Sequence, residues 1–372
     1  MKKAPIIWLN VLIFSITFLF AIIAVPYRAI THGFDAFEII TAIICFCYCG
    51  MSITAGYHRL WSHKAFQANA VFRFICAIGG AFALQNSILH WCSDHRVHHK
   101  HVDKNDIDPY SAKRGFWYSH IGWMLRDYQP HTYDNYDNVR DLQKDKIVMW
   151  QHKHYIALSL ATNFGIPIAL GLLHGDVISA ILLAGVLRLV LSHHTTFFIN
   201  SLAHIWGKQT YTDKNSARDN GFLALFTFGE GYHNFHHIFE NDYRNGIRWW
   251  HFDPTKWLIK FCSYFNWTTK LRKTPEDKIA KSKARMQWLN ASKQLENKHN
   301  SQELLVTLQQ EYDALIDKMT VYYETKKKLL AKKGNQLSED VEKTALAKQY
   351  KQLKQELNMH IEQWNNFRAQ FA

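Results

Sequence analysis

The sequence predicts an all-α integral membrane protein. It should have about four transmembrane helices, a cytosolic helical domain that caps them and carries a histidine-rich dinuclear metal site, and a C-terminal helical hairpin. Three observations predict this. Four apolar runs are long enough to cross a bilayer. Three histidine clusters each adjoin an apolar segment, and the last quarter of the chain is charged and amphipathic.

The first run, residues 5–25, follows Lys2 and Lys3 as a signal peptide would. Pro26-Tyr27-Arg28 stands where a small-x-small cleavage site is required, so the run is read as a span. The second, 37–55, leads directly into His58. The third, 155–173, contains Pro167, which a membrane helix tolerates, and the fourth covers 177–199. The stretches Val71 to Leu89 and Gly221 to Phe228 are shorter and read as buried or interfacial helices. Short connections, Pro26 to Phe34 and His174-Gly175-Asp176, make two hairpins, which puts the N-terminus, residues 56–154 and residues 200–372 on one side. Nearly all Lys and Arg lie there, so that side is the cytoplasm, with both termini and the site on it. The expected location is a bacterial inner membrane in preference to the endoplasmic reticulum.

The chain has 372 residues, a net charge of +13 and a mean hydropathy of −0.25. That average hides an apolar front and a charged tail. The basic residues sit in loops beside spans and among acidic residues of the tail, so a lipid surface accounts for them and nucleic acid is not a partner. Cys45, Cys47, Cys49, Cys76, Cys92 and Cys262 form no C-x-x-C and read as buried thiols in a reducing compartment. Arg188 falls within the fourth run, where it is expected to be buried and paired with a carboxylate. His193 and His194 fall outside the histidine pattern.

The clusters are His58-Arg-Leu-Trp-Ser-His63, His95-Arg-Val-His98-His99 and His233-Asn-Phe-His236-His237. Spacings of i, i+3 and i+4 in the second and third place the imidazoles on one helix face. The i, i+5 spacing of the first does not stack on a regular helix and predicts a helix end and a turn. A fourth element, Asn200-Ser-Leu-Ala-His204, closes another apolar run. Nine histidines, with Asn200 as a tenth donor, are too many for one metal and suit two. Imidazole suits iron, zinc and copper alike. Glu230 and Asp94, just ahead of two boxes, are read as groups that orient a ring N–H.

From about residue 271 the chain forms a second region. Leu308, Tyr312, Leu315, Met319 and Tyr322, and then Leu353, Leu357, His360, Trp364 and Phe367, recur at helical spacing either side of Gly334-Asn335. This predicts two helices in a hairpin, serving interaction or stability, attached to a membrane domain over residues 1–270.

These motifs resemble those of the membrane-bound fatty acyl desaturases of the stearoyl-CoA (delta-9) type. Besides the boxes, the resemblance rests on Gln85-Asn86, on Asp108-Pro109-Tyr110, and on Arg114-Gly115-Phe116-Trp117-Tyr118-Ser119-His120-Ile121-Gly122-Trp123. It extends through Arg244-Asn245-Gly246-Ile247-Arg248-Trp249-Trp250 and Asp253-Pro254-Thr255-Lys256-Trp257. It covers residues from about 10 to 265 and leaves out the tail.

The resemblance implies two iron ions held by His58, His63, His95, His98, His99, His204, His233, His236 and His237, with Asn200 acting through water. It implies an O2-dependent reaction that turns a saturated acyl chain into a cis alkene using two electrons. A methylene C–H is too strong for acid–base groups, so the cofactor carries the chemistry and the protein supplies position. The chain carries no recognisable donor domain, so the expected donor is separate, such as cytochrome b5 or ferredoxin with its reductase. The expected substrate is a long-chain acyl-CoA or another acyl carrier. Asn86, Trp91 and Asp94 match head-group positions. Where the animal enzymes have a basic pair, this chain reads Met124-Leu125-Arg126-Asp127, leaving Arg126 alone. On the second span, Ala42 is small where the animal enzymes are bulky. That implies a tunnel open to chains at least as long as stearoyl, lined also by Phe46 and Ile53. Membrane alkane and sterol hydroxylases share the histidine pattern and are the alternative. A non-catalytic metal-binding membrane protein is the second alternative, although transporters place ligands at mid-membrane and these boxes lie beyond helix ends.

Overall fold

The computed structural model describes residues 4–129, 136–296, 301–334 and 340–370. The chain divides into two compact units, Met1–Lys208 with Lys214–Lys273, and Gln209–Asp213 with Thr274–Ala372.

Among the described residues of the first unit, four helices are long and apolar enough to cross a membrane: α1 (Trp8–Thr31), α2 (Ala36–Ser62), then α7 (Tyr155–His174) and α8 (Val177–His204). Between them lie α3 (Ala70–Phe82), α4 (Ile88–His101), α5 (Phe116–His120) and α6 (Lys146–Lys153). After α8 come α9 (Gly221–Phe226), α10 (His233–Ile238) and α11 (Pro254–Ser263). Leu9, Leu12, Ile16 and Ile23 leave α1 apolar on exposed faces, which only lipid satisfies.

The spans run past their expected ends. α1 continues through Pro26 to Thr31, because the preceding turn, Phe20–Ala24, widens to π geometry around the missing proline amide. The connection expected from Pro26 to Phe34 is therefore confined to the residues after Thr31. There Asp35 and Glu38 form a capping box that starts α2. The same widening, Ala161–Gly165, precedes Pro167 in α7.

α2 does not stop near residue 55. From Ser52 to Ser62 it becomes π-helical, and the His63 N–H donates to the His58 carbonyl at 3.1 Å. A π-helix bonds i to i+5, so the i, i+5 spacing that predicted a turn is a helical repeat of another kind. All eleven of these residues are buried. α3 packs tightly against them, since a Cβ on Gly80 would lie 2.2 Å from the Tyr57 ring.

Arg59 is the central strut. Its guanidinium donates to Glu230 Oε1 at 2.8 Å, to Asp253 Oδ2 at 3.1 Å and to the Tyr243 carbonyl at 2.9 Å. Asp253 in turn caps α11, accepting from the Lys256 amide at 2.9 Å. α3 is joined to the end of α11 by a two-stranded pairing, β1 (Gln67–Ala68) with β2 (Thr268–Thr269), antiparallel.

Arg188 is buried as expected, but its partner is not a carboxylate. It donates to the carbonyls of Phe82 (2.7 Å) and Ala184 (2.8 Å) and to Asn163 Oδ1 (3.1 Å). The guanidinium also lies 3.7 Å from the Phe82 ring centroid. The C-terminal end of α3 thus presents its unpaired carbonyl and the negative end of its dipole to the cation.

Among its described residues the second unit contains three helices where two were expected: α12 (Glu276–Glu296), α13 (Ser301–Gly334) and α14 (Asp340–Ala369). Leu308, Leu315, Met319, Leu357 and Trp364 form its core, joined by Ala284, Ala291 and Leu295 of α12. Small alanines carry much of the α12 face, and they give little apolar signal in sequence. Asn335 of the expected turn lies outside the described residues.

Candidate metal centre

The nine box histidines sort into two groups: His58, His63, His95, His99 and His236, and His98, His204, His233 and His237. In each group the candidate ligand atoms lie within 4.8 Å of one another. The boxes do not each present one face to one metal. On an α-helix, position i+4 lies about 40° from i, whereas i+3 lies about 60° to the other side. α4 accordingly sends His95 and His99 to the first group and His98 to the second. α10 does the reverse, sending His233 and His237 to the second group and His236 to the first. The π-helical turn delivers both His58 and His63 to the first group, and the last turn of α8 delivers His204 to the second.

The imidazoles face one another through Nε2. In the first group, His58 and His236 are 2.9 Å apart, His63 and His95 2.8 Å, and His99 and His236 3.0 Å. In the second, His98 and His237 are 3.3 Å apart, His204 and His233 3.1 Å, and His233 and His237 3.0 Å. A metal about 2.1 Å from each imidazole nitrogen puts neighbouring ligands about 3 Å apart, so the spacing fits a coordinated cation.

The outer nitrogens of several rings show which tautomer they adopt. His98 Nδ1 is 2.8 Å from Asp108 Oδ1, His99 Nδ1 3.1 Å from Glu240 Oε2, and His58 Nδ1 3.0 Å from Glu230 Oε2. A carboxylate only accepts, so these Nδ1 atoms carry the proton and leave Nε2 with a lone pair. Ser216 donates its hydroxyl to Asp103 at 2.5 Å and therefore accepts from His204 Nδ1 at 2.8 Å. Tyr110 Oη lies 3.2 Å from His95 Nδ1. Several converging lone pairs without protons repel one another unless a cation sits among them.

Burial, reinforced by the neighbouring imidazoles, holds His63, His95, His233, His236 and His237 well below the usual histidine range. His99 is lowered to about 4, burial again dominating. All six are therefore neutral at physiological pH, the form that binds metal. Burial would raise the Glu230 carboxyl, but His58 and Arg59 hold it down at about 2. The buried carboxylates Asp108 and Glu230 supply negative charge behind a shell of neutral ligands.

Other expected site residues are placed as follows. Asn200 ends the α-helical part of α8, half-buried, four residues before His204. Trp91 stacks on the His95 ring, 4.8 Å between centroids. Asp94, expected to orient a box histidine, instead lies 3.7 Å from His90 Nε2, because it sits one turn along α4 from that residue. Asn86 is exposed, with a left-handed φ of 74°, and its Oδ1 accepts from the Ser87 amide. Arg126 is remote from these in chain and donates to the Ala4 carbonyl at 2.7 Å. It lines a cavity of about 400 Å³ with Arg114, Phe116, Trp117, Tyr118 and Tyr128. On α2, Ala42 is half-buried, Phe46 faces Phe228 with centroids 5.4 Å apart, and Ile53 is buried in the apolar core. Sequence reasoning missed Asp108, Glu240, Tyr110, Asp103 and Ser216 as groups that orient histidines. Asp108 and Tyr110 had been noted only as matching residues, and the others carried no periodic signal.

Four spans beneath two buried all-imidazole groups define a histidine-box membrane protein built to bind metal. The family model for fatty acid desaturase matches residues 36–270. The chain is 46% identical over 256 residues to a probable acyl-CoA desaturase of Schizosaccharomyces pombe, covering 68% of this chain and 53% of that one. It is 42% identical over 252 residues to acyl-CoA desaturase 1 of Saccharomyces cerevisiae, covering 64% and 49%. It is 34% identical over 287 residues to stearoyl-CoA desaturase 5 of Bos taurus, covering 76% and 84%. The chain belongs to the fatty acid desaturase family. It spans about half the length of the two fungal relatives. These relatives are fungal and animal, which gives no support to the expected bacterial location.

Proposed function

We propose that this chain is an O2-dependent acyl-CoA desaturase. It would place a cis double bond at the delta-9 position of a saturated long-chain acyl thioester, using two electrons from a separate donor. The observation that carries the reading is the division of the nine imidazoles into two adjoining groups whose Nε2 spacing fits two cations. Iron would occupy both groups, with Asn200 acting through water, and when bound it would activate O2 for attack on an unactivated C–H. O2 takes two hydrogens from the chain, two protons and two electrons, and leaves as two waters.

The residues of this chain do the rest by position. Trp91, stacked on His95, would hold the acyl chain beside the first group. The face of α2 bearing Ala42, Phe46 and Ile53 would line the far end of its channel. The cavity with Arg114 and Arg126 would take an anionic carrier, with Asn86 and Asp94 as further head-group contacts. The histidine groups would face the cytoplasm, with both termini on that side. Residues from 271 onward would form a separate module for stability or association.

The test is expression in a desaturase-deficient host, with mass spectrometry of the host's fatty acids and metal analysis of the purified protein. Two irons with a new delta-9 alkene support the reading. An alcohol product supports a hydroxylase, and zinc without turnover supports neither.

A further inference from the structure

The groups that orient the histidines differ in their access to solvent. The side chains of Asp108 and Glu230 are 0% and 2% exposed, while that of Glu240 is 45% exposed. Glu240 also touches more than one ring. Its Oε2 is 3.1 Å from His99 Nδ1 and 3.9 Å from His63 Nδ1, and both belong to the five-histidine group. It sits on the turn just after α10, where the Phe239 amide closes on the Phe235 carbonyl.

A divalent cation must cross from water into a site of buried neutral imidazoles. A partly exposed carboxylate that already contacts two of them offers both charge to attract the ion and an oxygen to hold it. We propose that Glu240 is the metal port of the five-histidine group: ferrous ion enters and leaves past this side chain, and the four-histidine group exchanges more slowly. The proposal rests on the reading of the site as a two-metal centre. It adds an asymmetry that the histidines alone do not have, because the carboxylates that back the four-histidine group, Asp108 and, through Ser216, Asp103, have side chains only 0% and 7% exposed.

Two variants test it in purified full-length protein, read by iron content and by release to an excess of ferrous chelator. In Glu240→Ala, one of the two irons should be lost about 10- to 100-fold faster, the usual effect of removing a ligand's hydrogen-bond partner, while the other leaves at the wild-type rate. Glu240→Gln keeps an oxygen for His99 Nδ1 but loses the charge. Its iron should leave slowly, but uptake of ferrous ion by the metal-stripped protein should be slowed roughly tenfold in one phase. Equal acceleration of both irons in the alanine variant, or no acceleration, overturns the proposal. So does wild-type uptake by the glutamine variant. A wild-type protein that cannot hold two irons instead brings down the two-metal reading itself, and is seen before either variant is made.

Discussion

The ring of His99 lies flat against that of His237, 4.3 Å between centroids and 9° between planes, yet the two belong to different groups. Each is the i+4 residue of its box. The i, i+4 pair of α4 serves one group and that of α10 the other, so the two helices meet at these two rings. Neither helix alone completes a group, and removing any one imidazole disturbs a shared assembly.

Replacing His98, His204 or His236 by Ala should therefore abolish turnover while the protein still inserts in the membrane. His236 serves the first group and the other two serve the second, from three separate elements. The check is product formation alongside membrane fractionation. Near-normal activity in any two of the three would count decisively against a di-iron centre.

Acid should weaken the metal-stripped protein. His99 is held at about 4 in the fold, against about 6.5 when unfolded. Between those values the unfolded chain binds protons that the folded chain refuses, so stability is lost as pH falls from about 6.5 toward 4. The lowered His63, His95, His233, His236 and His237 add in the same direction. Tm measured in detergent should be nearly flat above pH 7 and drop below 6.5. A rise on acidification would mean that the clustered rings are charged in the fold.

Arg59→Met should leave Glu230 and Asp253 buried without their shared cation. Breaking such an arrangement typically costs about 3–5 kcal/mol. Thermal unfolding of the purified variant measures this, and an unchanged Tm would show that the Asn245 side chain, which donates to Glu230 Oε2 at 2.6 Å, and the Asn245 and Gly246 amides, which donate to Asp253 Oδ2, suffice.

Cysteine labelling from outside sealed cells should reach probes at His32 and Gly175, and not at Asp106 or Lys214. The native cysteines are buried or half-buried, so the background is low. External reaction at Asp106 would invert the proposed orientation.

Ala42→Trp should shorten the preferred substrate. Ala42 packs against Val25, Leu182 and Leu183, so added bulk there has little room. Overpacking costs about 1–3 kcal/mol, which would lower use of a long chain roughly 5- to 150-fold. Products should move to shorter chains, with the double bond at the same distance from the carboxyl end. An unchanged length profile, or a shift in bond position, would refute this measuring role.

The four spans and six of the nine histidines were legible because apolar runs and i, i+3, i+4 spacings are local patterns, while His58, His63 and His204 were marked by their place at the ends of apolar runs. What was not legible depends on contacts between distant segments. Asp108 reaches His98 across a loop, and Ser216 reaches His204 through a turn that no periodicity marks. Two of the partners of Arg188 are backbone carbonyls, which are identical at every residue and invisible in sequence. The division of each box between two groups follows from helix geometry, but assigning each ring needs the second helix in place.

The π-helical stretch Ser52–Ser62 limits what a synthetic copy of this centre can be made from. In scaffolds assembled from ideal α-helices, residues five apart point about 140° away from each other. A designer who transplants His58 and His63 into such a rod would aim one imidazole at the metal and the other at solvent. Moving the second to i+4, or building the turn between them with π geometry, brings both back to the same face. Conversely, a one-residue insertion between Arg59 and Ser62 in the natural chain, harmless by composition, would swing His63 out of the five-membered cluster.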